Sequence, residues 1–200
     1  MPKTSKTIVV SGPPRSGTSL LMQMLVAAGI EAITDGLRQQ DIDNPRGYFE
    51  HEKVTRLAQD AVIFSDSAGK AIKVIHAQLK HIPQDRPLAV LFLERDLDEV
   101  LASQSAMLER LGRPRSTLSR DQMRDALARQ LAVAREELKA RPDTVVLYLQ
   151  HRSLITGPEK TSRQIVQFLE PVLGKLLSAE AMAGCVDPSL HRQRPEGHAS

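Results

Sequence analysis

Ser11-Gly12-Pro13-Pro14-Arg15-Ser16-Gly17-Thr18-Ser19 lies between the apolar run Thr7-Ile8-Val9-Val10 and the amphipathic stretch Leu20 to Ala28. A strand, a glycine-bearing turn and a helix in that order make a P-loop. The two glycines let the backbone curl until successive N–H groups point into one concavity, and the start of the helix adds its partial positive charge. The nucleotide-hydrolysing form of the loop reads G-x-x-x-x-G-K-[ST]. Here Thr18 occupies the lysine position and the cation sits three residues earlier, at Arg15. The loop is expected to bind phosphate while handling the transferred group differently from an ATPase.

Working outward, Lys70 to Ile75, Leu88 to Glu94 and Thr144 to Leu149 join Thr7 to Ser11 as strand candidates. Their nearly unbroken Val, Ile and Leu runs fit strands covered on both faces. Helical patterns alternate with them. The first stops at Gly29. A second begins at Asp96 and carries Leu97, Val100, Leu101, Leu108 and Leu111 toward Gly112. The Ser119/Gln122 pair reads as a capping box opening a third, with Met123, Leu127, Leu131, Ala134 and Leu138 on one side and Pro142 as its stop. Gly157-Pro158 opens a fourth with Ile165, Val166 and Leu169 inward, and residues 172–184 read as a last helix. The fold class is α/β: a single P-loop-type domain over residues 1–187, its parallel sheet flanked by helices on both faces. The polar residues 188–200 read as a flexible tail. Residues 34–50 have no period and many turn formers, the profile of a functional loop.

The chain has 200 residues, 41% of them apolar and 26% charged, with a net charge of +3, which suits one globular domain and an anionic small ligand. Basic residues are scattered and aromatics make up only 3%, which argues against nucleic acid as a partner. The single Cys185 excludes an intrachain disulfide and a cysteine-rich zinc site, and reads as a small apolar residue near a helix end. No apolar run reaches transmembrane or signal-peptide length, so no membrane association and a cytoplasmic setting are expected. No metal-ligand cluster stands out, and no metal is expected.

A second half of the site follows the strand Leu88 to Glu94. Arg95 lies at its carboxyl end, where open α/β sheets place their ligands, and Ser103 follows two helical turns into the next helix. An arginine fork and a hydroxyl there can hold a second phosphate.

Pro-Arg-Ser-Gly-Thr-Ser followed by strand-Arg-Asp-x₆-Ser resembles the sulfotransferase family, which uses 3′-phosphoadenosine 5′-phosphosulfate (PAPS) as donor. The resemblance places the 5′-phosphosulfate on the loop at Pro14, Arg15, Ser16, Gly17, Thr18 and Ser19, and the 3′-phosphate on Arg95 and Ser103. Val145 to Leu149, Leu154, Pro158 and Phe168-Leu169 are similar to the family's later strand, turn and helix, so agreement runs from about residue 7 to 170. The Arg-Ser-Gly-Thr form, and Asn44-Pro45-Arg46-Gly47-Tyr48-Phe49-Glu50, resemble bacterial members; the loop form also resembles tyrosylprotein sulfotransferases. The chain departs from the cytosolic branch in lacking its C-terminal Arg-Lys-Gly and tryptophan motif, for which Arg192 and Arg194 are the available substitutes.

Sulfuryl transfer needs in-line positioning, an activated acceptor and positive charge at the leaving oxygen. Arg15 is the candidate for that charge. Ser19 is a candidate both to cap the first helical turn and to bind phosphate. For the general base there are two candidates, Glu50 ahead of His76, and Lys73 adds positive charge near the transferred group. His51, His81 and His151 read as non-catalytic. The acceptor is expected to be a small molecule, sugar or peptide, and the oligomeric state is left open. Two other readings stand beside this one: an ATP- or GTP-dependent P-loop kinase or NTPase, and a non-catalytic adenylate-binding domain.

Overall fold

The computed structural model describes residues 5–37, 47, 49–114 and 116–187. The anticipated tail 188–200, with Arg192 and Arg194, and most of the 34–50 segment lie outside the described residues. In chain order the elements begin with strand β1 (Thr7–Ser11), helix α1 (Thr18–Ala27) and strand β2 (Ala32–Ile33). Helix α2 (Glu52–Thr55), a 3-10 turn at Val62–Phe64, β3 (Ala71–Lys73) and a second 3-10 turn at His76–His81 follow. Then come β4 (Leu88–Glu94), α3 (Leu97–Arg110), α4 (Arg120–Ala140), β5 (Thr144–Gln150), α5 (His151–Thr156), α6 (Pro158–Leu173) and α7 (Ala179–Ala183).

The five strands form one parallel sheet in the order β2-β3-β1-β4-β5. Alternation along the strands explains their continuous apolar sequence. Ile8, Val10, Ala89, Leu91 and Leu93 face the helices α1, α6 and α7, where Leu21, Leu25, Ile165, Leu169 and Met182 are buried. Val9, Leu88, Val90 and Phe92 face the other way, onto Val100 of α3 and Leu127, Leu131, Ala134 and Leu138 of α4. Each face of β1 and β4 therefore has its own core, and polar alternation is absent because neither face meets water.

The helix ends follow their local chemistry. The amide of Ile30 donates to Leu25 O (3.0 Å) and that of Gly29 to Val26 O (2.9 Å), a Schellman closure with Gly29 at φ 81°. Asp96 caps α3 through the amides of Asp98 and Glu99. The Ser119/Gln122 capping box is present at α4.

Four local expectations are corrected. The strand read at 70–75 is ordered as ladder only over Ala71–Lys73, because His76 donates its amide to Gly12 O and draws the chain into a 3-10 turn. Strand β2 was not anticipated; two residues carry no readable period. Leu111 lies beyond the end of α3 and is 56% exposed, so the apolar stripe stops before it. The helix read at 172–184 is two pieces: α6 runs through Pro171 to Leu173 and ends at Gly174 (φ 65°), and Ser178 caps the short α7.

Candidate functional site

The carboxyl ends of β1, β3, β4 and β5 deliver the loop Gly12–Gly17, Lys73, Arg95 and His151 to one edge of the sheet. Gly12 (φ 145°) runs so close to β4 that a Cβ there would lie 2.6 Å from Leu93 O and 2.8 Å from Ser16 Oγ. Gly17 (φ 93°) opens α1, and a Cβ there would lie 2.6 Å from Cδ2 of His151. Both positions need a residue without a side chain. The loop also holds Arg15 in the left-handed region, at φ 70°, a conformation that costs an L-residue about 1–2 kcal/mol.

Two contacts from the β4–α3 junction fix that arginine. Nη1 of Arg95 donates to the carbonyl of Arg15 at 2.7 Å, and Nε of Arg15 donates to Oγ of Ser103 at 3.0 Å. Arg95 is in turn paired through Nε with Glu99 one turn along α3, at 2.8 Å. The four residues Arg15, Arg95, Glu99 and Ser103 thus form one connected group, although 80 residues separate Arg15 from Arg95. Among the described residues the fully buried hydroxyls of Ser11 and Ser16 have no hydrogen-bond partner. A buried hydroxyl without an acceptor beside a helix N-terminus suits a phosphate, whose oxygens accept from both.

Lys73 supplies what the loop's own sequence omits. It ends β3, in register with Val10 of β1, and is only 8% exposed. Its ammonium lies 3.2 Å from Oγ of Ser19, the residue after Thr18, and 3.1 Å from Oε1 of Glu50. Ser19 is inside α1 and does not cap it; the cap position is Gly17, with no side-chain hydrogen bond. A capping side chain must precede the first turn, and Ser19 comes after its start.

His76 is 4% exposed and joins the loop through its backbone. Its Nε2 lies 3.2 Å from Oε1 of Gln130 on α4, and Nδ1 has no partner among the described residues. The structure therefore brings Glu50 and Lys73 together, while the His76 imidazole is bonded elsewhere. His51 accepts the Lys53 amide at the start of α2. His151 abuts Gly17 and is only 7% exposed.

Sequence reasoning passed over Gln130, the contact of His151 and the pairing of Glu99 with Arg95. Glu99 carried the one available signal: it stands four residues after Arg95, on the same face of a helix. Pro14 lies half-buried in the loop. Among the described residues no group of three or more His, Cys, Asp or Glu is placed to hold a metal ion, and no helix is long and apolar enough to cross a membrane.

No family model and no curated protein matches the sequence. Among solved structures the chain is similar to a retinol dehydratase in complex with androsterone and the inactive cofactor PAP, at 17% identity and a TM-score of 0.49. That match covers 89% of this chain and 62% of the dehydratase, so the chain spans less than two thirds of that protein. It is also similar to the sulfotransferase domain from the curacin biosynthetic pathway, at 14% identity and a TM-score of 0.49, over 94% of this chain and 89% of that one. A third similar structure is an unliganded sugar kinase from Janibacter sp. HTCC2649, at 16% identity and a TM-score of 0.41, covering 85% and 97%. At these levels of likeness a functional reading has to come from the chain's own residues.

Proposed function

We propose that this chain is a PAPS-dependent sulfotransferase that moves a sulfuryl group to a hydroxyl or amine of a small-molecule, sugar or peptide acceptor. One observation carries the reading: the loop that cradles one phosphate and the Arg95/Ser103 pair suited to a second are joined through Arg15. A nucleotide phosphorylated at both its 5′ and 3′ positions needs two anion sites within its own span. An ordinary nucleoside triphosphate has no use for the second.

The donor supplies the sulfuryl group and leaves as 3′,5′-adenosine bisphosphate. The loop amides, the start of α1 and the Ser16 hydroxyl bind its 5′ side. Arg15 carries the positive charge that meets negative charge gathering on the leaving phosphate oxygen as the S–O bond breaks. Arg95 and Ser103 orient the 3′-phosphate, Ser103 donating its hydroxyl proton to phosphate while its oxygen accepts from Nε of Arg15. Glu50 receives the proton of the acceptor O–H or N–H as that atom bonds to sulfur. Lys73 holds the Glu50 carboxylate in position and extends the positive field toward the transferred group. His76 has no direct part in this scheme, because Gln130 holds its ring.

Calorimetric titration tests the reading. Binding of 3′,5′-adenosine bisphosphate well above that of 5′-AMP, without magnesium, is expected. A kinase or NTPase reading draws on the same Lys73 ammonium, since it stands beside Ser19, one residue after the Thr18 position where such enzymes carry their loop lysine. A preference for magnesium-ATP would decide for that alternative.

A further inference from the structure

The Glu50 side chain comes from an irregular segment, yet its backbone is tied down on both sides. Thr34 and Asp35 follow strand β2 directly, and the two residues together hold the segment 50–52. Oγ1 of Thr34 donates to the Glu50 carbonyl at 2.9 Å, and the amide of Asp35 donates to the same oxygen at 3.4 Å. Oδ2 of Asp35 accepts the amide of Glu52 at 2.5 Å, while Oδ1 accepts the amide of Leu37 at 3.0 Å. Nδ1 of His51 lies 3.7 Å from Oδ2. Glu50 is therefore bracketed by contacts at its own carbonyl and at the amide two residues on.

The sheet then relates this bracket to Lys73. Ala32 and Ile33 of β2 pair with Ala71 and Ile72 of β3, the two residues immediately before Lys73. Two residues past one strand and one residue past the paired stretch of the next meet at the same edge, which brings the Glu50 carboxylate to the ammonium at 3.1 Å. We propose that Asp35 is a positioning residue for the transfer reaction, acting by fixing the Glu50 backbone so that its carboxylate meets Lys73. This rests on the functional reading above for its bearing on catalysis, while the clasp itself is a property of the fold. The same two amide bonds hold the Asp35 carboxyl below its ordinary value, the Glu52 amide contributing most, as expected of a carboxylate that serves as an anchor.

The test measures Lys73 directly. Brief acylation with acetic anhydride, read by peptide mass spectrometry, should modify Lys73 slowly in the wild type relative to the exposed Lys53. Asp35→Ala should raise the Lys73-to-Lys53 ratio about fivefold by opening the segment locally. Asp35→Asn should give a smaller rise, because an amide offers one acceptor oxygen to two N–H groups. A general rise at every lysine would mark unfolding in Asp35→Ala, and Asp35→Asn with Thr34→Ala then decides the point. An unchanged ratio in folded variants would overturn the proposal. In parallel, release of inorganic sulfate from PAPS should fall in kcat with the affinity for 3′,5′-adenosine bisphosphate unaltered. A loss of affinity equal to the loss of rate would reject positioning in favour of general damage. If the wild type binds no bisphosphate and releases no sulfate, the nucleotide reading fails, and the labelling ratio still decides whether Asp35 fixes Glu50.

Discussion

Arg95 donates to the main-chain carbonyl of Arg15, and Arg15 is the non-glycine residue of the loop held at positive φ. The strand-end arginine is therefore part of the loop's support as well as a candidate phosphate ligand. Arg95→Ala should weaken 5′-AMP several-fold through loss of loop order, and 3′,5′-adenosine bisphosphate by at least a further tenfold, since a charge-assisted phosphate contact is lost too. Calorimetry on both nucleotides separates the two effects. Equal losses would leave Arg95 as a brace alone.

Arg15→Ala should lower the rate of sulfate release from PAPS by about 10²–10³-fold, the range for deleting a preorganised charge-stabilising donor. Arg15→Lys should rescue little, because an ammonium cannot reproduce the Nε contact to Ser103. Single-turnover kinetics at saturating donor would check both. A near-normal rate in Arg15→Ala would remove it from the mechanism.

Gly17→Ala meets two obstacles at once, a φ of 93° and the ring of His151. A loss of stability of about 1–3 kcal/mol is expected, with nucleotide binding lost as well. Adding His151→Ala should restore part of the stability, because it removes the clash and leaves the backbone strain. Urea denaturation of the single and double variants reads the coupling between the two positions directly.

Acid should loosen the 34–52 clasp before the rest of the fold. The Asp35 carboxyl is held below 3.8, chiefly by the Glu52 amide and then that of Leu37, with His51 as the titratable neighbour. Because the folded value is the lower one, its stabilisation is complete above the unfolded value and fades as pH falls through the folded value. Amide exchange at Glu52 should stay protected at pH 5 and rise below about pH 4. Protection that is lost already near neutrality would assign the change to another group.

Away from the site, Arg141 is buried and donates to the carbonyls of Ile82, Pro83 and Arg86, with burial pushing its guanidinium below the usual arginine value. Arg141→Ala strands three acceptors and should cost about 2–4 kcal/mol. Chemical denaturation measures it, and nucleotide affinity should be unaffected because the contact lies at the amino end of β4.

The strands β1, β4 and β5 and the glycine-bearing loop between β1 and α1 were legible because their signals are local. Runs such as Leu88 to Leu93 are apolar on both faces, and Gly12 and Gly17 sit at a readable spacing. The interval from Arg95 to Ser103 is equally local, and the structure bonds both residues to Arg15. The contacts that organise the site are not local. Nothing in the sequence distinguishes Asp35 from other loop aspartates, or Gln130 from other polar residues of α4, until the sheet places them beside Glu52 and His76. The contact of His151 with Gly17 was not legible, because only the fold brings the start of α5 to the start of α1. The stop of α6 at Gly174 was missed because the apolar pattern continues through Pro171 and Leu173, and pattern outweighed the glycine.

The ammonium of Lys73 reaches the head of the loop from a strand, not from the loop itself. In a loop that carries its own lysine, the cation travels with every rearrangement of the backbone. Here one charge, Arg15, rides on the loop and a second, Lys73, is an electrode mounted on the sheet. Any rearrangement of the loop would carry the first and leave the second in place, so the field at this edge of the sheet has a movable and a fixed source.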